Sequence, residues 1–124
     1  MSDWIEFTHE YQPKGEPQCS ISKNRIAFNK KFIDEANIAD CARVTVLINE
    51  KEHKIAFRFH TNKTSNSLAL YRSRSERAFS SVAIISKYKW IQDVVSLPRT
   101  QRRFRPIKQD INGDVWIIQI PNMK

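Results

Sequence analysis

Along RVTVLINEKEHKIAFRFH, residues 43–60, apolar and polar side chains alternate with period two. Val44, Val46 and Ile48 share one face against Arg43, Thr45 and Leu47. Beyond the polar turn NEKEH, Ile55, Phe57 and Phe59 return inward, with Lys54, Arg58 and His60 outward. That pattern predicts a hairpin. Upstream, CSISK and NRIAF (residues 19–28) predict two short extended pieces. WIEFTHEY (4–11) predicts a first strand, set off by the turn QPKGEP. In NKKFIDEANIADCA the period becomes helical, through Phe32, Ile33, Ala36 and Ile38. With Asn29 placed as an N-cap, this predicts a helix over residues 30–39.

TNKTSNS (61–67) is a polar linker, and beyond it the same order recurs. SLALYRSRSERAF (67–79) predicts one or two strands. VAIISKYKWIQDVV (82–95) predicts a helix with a stripe of Ile84, Ile85, Tyr88, Ile91 and Val95, ended before Pro98. RRFRPIKQDINGDVWIIQI (102–120) predicts a second hairpin turning at Asn112-Gly113. Its last strand, VWIIQI, is apolar on both faces, the pattern of a strand covered on both sides. AFNKKFI (27–33) and AFSSVAI (78–84) share three identities in seven at an offset of 51, and the hairpins align at an offset of about 60. The expected fold is α+β in one domain, 1–124: mainly antiparallel β with two short helices. A duplicated β-β-α-β-β unit, with halves 1–60 and 67–121, is the candidate organisation, set against a coincidence of short apolar patterns. The expected core is Phe28, Phe32, Val44, Val46, Ile55, Phe57, Phe59, Ile85, Ile91, Trp116 and Ile118.

Charge changes the picture. The 124 residues carry a net charge of +8, placed unevenly. Residues 1–53 hold seven Lys/Arg against nine Asp/Glu, whereas residues 54–108 hold thirteen against only Glu76 and Asp93. So local an excess is costly in self-repulsion unless an anionic partner meets it, and nucleic acid is the commonest one. No run of about 18 apolar residues exists to span a membrane. The acidic, polar N-terminus is unlike a secretory signal, so a cytoplasmic protein is expected. Cys19 and Cys41 are too far apart for a close-spaced metal motif; they read as two reduced thiols, with a single bridge as the alternative.

On an extended strand, residues i and i+2 share a face, which would align Arg72 with Arg74 and Arg103 with Arg105. The candidate nucleic-acid contacts are Arg58, Arg72, Arg74, Arg77, Lys87, Lys89, Arg99, Arg102, Arg103, Arg105 and Lys108. Guanidinium forks suit phosphate oxygens, and Ser73 and Ser75 can donate beside them. Tyr88 and Trp90 are the candidate stacking residues, whereas Tyr71 is expected in the core. Contacts of this kind give affinity with limited sequence specificity, so a non-enzymatic nucleic-acid-binding protein, of DNA in the first instance, is expected.

Residues 20–59, through Asn24-Arg25-Ile26 and the following Asn29-Lys30-Lys31-Phe32, resemble the swapped-hairpin module of AbrB- and MraZ-type bacterial transcription regulators. The family's glycine before the arginine and its helix-starting proline are absent here. The resemblance implies DNA binding through Lys23, Arg25, Lys30 and Lys31, and a homodimer. It places the contacts in the less basic half, apart from the charge-rich segment.

No P-loop, Rossmann glycine pattern or nucleophile elbow occurs, and no carboxylate spacing suits a two-metal nuclease, so no cofactor, metal or catalytic residue is assigned. Two alternatives stand. One is a small interaction or inhibitor protein docking an acidic protein surface. The other is a metal-independent ribonuclease built on His60, arginines and a tyrosine. A continuous groove with exposed aromatics would favour single-stranded nucleic acid; a compact patch with an apolar centre would favour a protein partner.

Overall fold

The computed structural model describes residues 15–121, so the strand expected over residues 4–11 lies outside the described residues. In chain order the elements are β1 (Cys19–Ile21), β2 (Arg25–Phe28), α1 (Lys30–Ala36), β3 (Arg43–Asn49), β4 (Lys54–His60), β5 (Ser67–Ala69), β6 (Tyr71–Ser73), β7 (Glu76–Ser80), α2 (Val82–Lys87) and α3 (Lys89–Val95). A 3-10 turn, Arg99–Gln101, leads to β8 (Arg103–Phe104), β9 (Ile107–Asp110) and β10 (Asp114–Gln119). The strands form two five-stranded antiparallel sheets: a first sheet ordered β6-β7-β2-β1-β8 and a second ordered β5-β3-β4-β10-β9. With three short helices, this is an α+β fold of mainly antiparallel strands.

The period-two pattern of residues 43–60 becomes the β3–β4 ladder, pairing Val44 with Phe59, Val46 with Phe57 and Ile48 with Ile55. Those side chains meet the inner face of the first sheet, where Ile21, Ile26, Phe28 and Phe79 are fully buried. Phe28 sits at the centre of the aromatic core. Its ring centroid lies 5.2 Å from Phe32, 5.1 Å from both Phe57 and Phe59, and 6.2 Å from Phe79. Each such pair adds about 0.5–1.5 kcal/mol to the gain from burial alone. Every residue of the expected core belongs to this cluster, although Val46, Phe59, Ile85 and Trp116 are only partly buried.

Helix α1 starts at Asn29, whose side chain accepts from Phe32 N–H at 2.9 Å. It ends earlier than residue 39. Asn37 takes the left-handed conformation (φ 56°), and the N–H groups of Asn37 and Ile38 both return to the Ile33 carbonyl. That is the usual way a chain leaves a helix through a left-handed residue.

Three expectations in the second half need correction. The helix over 82–95 is two helices, because Tyr88 adopts an extended conformation (φ −118°, ψ 111°) between them. The break lets α3 bury Ile91 and Val94, while α2 buries no residue. Segment 67–79 is three strands: β5 joins the second sheet, and β6 and β7 form a tight hairpin in the first. Arg74 occupies the hairpin turn with φ 57°, so it does not share a strand face with Arg72. Finally, only β9 and β10 make the second hairpin. Asn112 and Gly113 there both have positive φ, and β8 pairs with β1 in the other sheet. Arg105 therefore follows β8 in a link between sheets and does not continue the Arg103 face.

Candidate functional site

The first sheet turns its large apolar positions inward; its outward positions are small or polar, and Ala27 and Ala78 at the middle of them are buried. Register places Arg103, Ser20, Ala27, Ala78 and Tyr71 side by side across its five strands, spanning about 19 Å at ~4.8 Å per strand. Ser20 and Ser22 of β1 and its flanking turn lie between Arg25 on one side and Arg99, Arg102 and Arg103 on the other. Together with Gln18 and Asn29 they line a cleft of about 330 Å³. A second cleft, of about 260 Å³, opens where the β6–β7 turn meets α1, and Lys30, Arg72, Arg74 and Arg77 line it. Glu76 lines both clefts, so they adjoin at the β6–β7 turn. The first, with Arg25, lies on the outer face, and the second, with Arg72 and Arg77, lies on the side of the sheet that Phe28 faces. The two together make a cationic track that wraps round the end of the sheet.

The track is held open by specific contacts. Arg25 crosses β7, donating from Nη1 to Ser73 Oγ at 2.9 Å and lying 3.4 Å from Glu76 Oε1. Both partners of that ion pair are more than a third exposed, so its main effect is to orient Arg25. Arg77 donates to the Ala39 carbonyl and so ties the loop after α1 to β7. Among the described residues Arg72, Arg74, Arg99, Arg102 and Arg103 have no carboxylate partner. Among the described residues Arg102 Nε is buried without a hydrogen-bond partner.

The remaining candidate residues lie elsewhere. Arg58 is on the outer face of the second sheet, where Nη2 donates to the Ile111 carbonyl at 2.6 Å. Arg105 lies 3.4 Å from Glu16, Lys108 lies 3.4 Å from Asp114, and Lys89 pairs with Asp93 at 2.7 Å. Lys87 stands 5.6 Å from the centroid of the Tyr88 ring. Trp90 already stacks on His53, with centroids 4.7 Å apart and planes at 2°. Tyr71, expected in the core, is 44% exposed, because β6 is an edge strand that turns Tyr71 to the outer face beside Ala78. Arg25, Lys30, Ser20, Ser22 and Tyr71 escaped the charge-based reading; pairing of β2 with β7, which sequence periodicity does not reveal, is what collects the first two.

His60, the residue named for the ribonuclease alternative, has both ring nitrogens in hydrogen bonds. Its Nδ1 lies 2.7 Å from the Asn62 carbonyl, which can only accept, so Nδ1 carries the proton. Its Nε2 is then the acceptor for Thr45 Oγ1 at 2.8 Å, and no ring nitrogen is left open. Both cysteines are free. Burial pushes the Cys19 thiol far above its usual range; burial and Asp40 raise that of Cys41, against the lowering effect of Arg77. Among the described residues no three His, Cys, Asp or Glu side chains gather as a metal site requires, and no helix is long and apolar enough to cross a membrane. The chain matches no protein-family model, no curated protein and no solved structure.

Proposed function

We propose that the protein binds nucleic acid without catalysis, along the cationic track of the first sheet. One observation carries the reading. Lys30, which the regulator resemblance singles out, lines one cleft with Arg72, Arg74 and Arg77 from the charge-rich half, and Arg25, singled out with it, reaches Ser73 and Glu76 in the adjoining cleft. The two readings of the sequence pointed to different halves, and in the folded chain those halves meet in adjoining clefts at Glu76. The cleft between the arginines is lined by hydroxyl and amide groups, which suits phosphate and sugar oxygens better than the apolar centre of a protein interface. Exposed Tyr71 at the end of the row offers a stacking platform, which favours an unpaired strand. We further read the chain as two copies of one β-β-α-β-β unit. The β1–β2 and β6–β7 registers differ by a shift of 51 residues, the same offset as the sequence match, and Ala27 faces its counterpart Ala78 directly. Two reduced thiols fit a cytoplasmic setting.

The test is fluorescence anisotropy of the full chain with labelled single- and double-stranded DNA and RNA, from low to physiological salt. Binding should be steeply salt-dependent. Glu at Arg74, Arg99 and Arg103 should weaken it on every sequence, lowering the salt slope by about one per lost contact. Tyr71→Ala should cost ~1–3 kcal/mol on single strands and little on duplex. No binding at low salt would sink the reading and leave the track as a docking face for an acidic protein.

A further inference from the structure

Strand β9 forms an edge of the second sheet, and all four of its residues are exposed. The other edges, β5, β6 and β8, are only three, three and two residues long. Ile107 in β9 is 59% exposed, and Ile111 just beyond it is 42% exposed. Both lie on the outer face, where Leu47, Ala56, Ile117 and Ile107 stand side by side in register across four strands. An apolar row thus runs to the edge and stops there, in the open.

The phase of the β9–β10 ladder decides what that edge can pair with. Ile111 N–H donates to the Gly113 carbonyl at 2.9 Å. Bonded and non-bonded pairs alternate along an antiparallel ladder, so Ile107 and Gln109 bond to β10, while Lys108 and Asp110 turn their N–H and C=O groups outward. We infer that β9 is the contact edge of a symmetric dimer, in which it pairs antiparallel with β9 of a second copy about Gln109. In that register Lys108 of each copy faces Asp110 of the other, and each such pair exchanges both backbone hydrogen bonds. On the outer face Ile107 meets Ile111 of the other copy, twice. The charges complement each other, the two exposed isoleucines cover each other, and the apolar row continues into the partner's sheet. Pro106, which has no N–H, limits the pairing at one end. A contact this short makes a reversible dimer whose population rises with concentration.

The experiment is sedimentation equilibrium of the full chain over a wide concentration range, without nucleic acid. Ile107→Lys and Ile111→Glu each replace an exposed side chain, and each alone should weaken dimerisation on the order of ten-fold through its two symmetric contacts. The double variant should recover it, because this register places Lys at 107 opposite Glu at 111 of the other copy. Circular dichroism verifies that each variant is folded. A wild-type chain that stays monomeric at every concentration would overturn the inference. So would single variants that dimerise like wild type, or a double variant no better than either single one.

Discussion

The outer faces of the two sheets are built on opposite plans. On the first sheet the outward positions are small or polar, Ser20, Ala27 and Ala78, framed by arginines whose only carboxylate neighbour among the described residues is Glu76. On the second sheet the outward row is Leu47, Ala56, Ile117 and Ile107, and the cations around it are engaged: Arg58 by the Ile111 carbonyl and Lys54 by Glu52 at 3.4 Å. The net positive charge of the chain is therefore not a uniform coat. On the first sheet Arg25 and Lys30 are paired with Glu76 and Asp34, but Arg72, Arg74, Arg99, Arg102 and Arg103 have no carboxylate partner among the described residues. The second sheet devotes its outward row to apolar surface. A face of the first kind attracts a polyanion over several ångströms; one of the second kind gains only on close contact.

Removing what the two faces share has the largest effect. Phe28→Ala empties the middle of the aromatic core and should cost about 3–5 kcal/mol in urea denaturation, with both faces lost together. If nucleic-acid binding persisted in a largely unfolded variant, the sheet face would not be its source. A smaller change sharpens the contrast. Glu76→Gln removes the carboxylate from the cationic track alone and should tighten binding about two- to five-fold at low salt, leaving sedimentation unchanged. Weaker binding would mean that orienting Arg25 matters more than charge. The smallest effect concerns the loop tied down by Arg77. Its guanidinium lowers the Cys41 pKa against burial and Asp40, so Arg77→Ala should raise that pKa and reduce the thiolate fraction at a given pH. Alkylation of Cys41 at pH 8, followed by mass spectrometry, should slow and recover as pH rises; buried Cys19 should stay unreactive. Faster alkylation would show that release of the Ala39 carbonyl, and not charge, controls access to the thiol.

How much could be read from the chain depended on how local the cause was. The β3–β4 hairpin was legible because its whole signal lies within residues 43–60, and the α1 start because Asn29 caps its own helix. The break at Tyr88 was not, since an unbroken apolar stripe runs through it and no glycine or proline marks it. Arg74 misled in a similar way, by taking a positive φ that glycine or asparagine more often holds. The sheet assignments of β5 and β8 are set by partners far along the chain, and no local pattern encodes them. The same holds for the site. Its arginines could be nominated by charge, but their grouping into one track, the removal of Arg58 to the other face and the exposure of Tyr71 follow from pairings of that long-range kind.

The seams between the halves also bear on how the chain folds. β2 meets β7, and β4 meets β10, across some fifty and sixty residues of sequence. Each seam lies inside its sheet, so a hairpin finished early presents a bare inner edge until its distant mate arrives. The loop-closure entropy of both seams must be met before their bonds can offset it, which sets this topology among slower folders for its size. During synthesis β4 waits until residue 119 has been made before the second sheet can be complete, and through that interval an unsatisfied edge is open to the solvent and to any neighbouring chain.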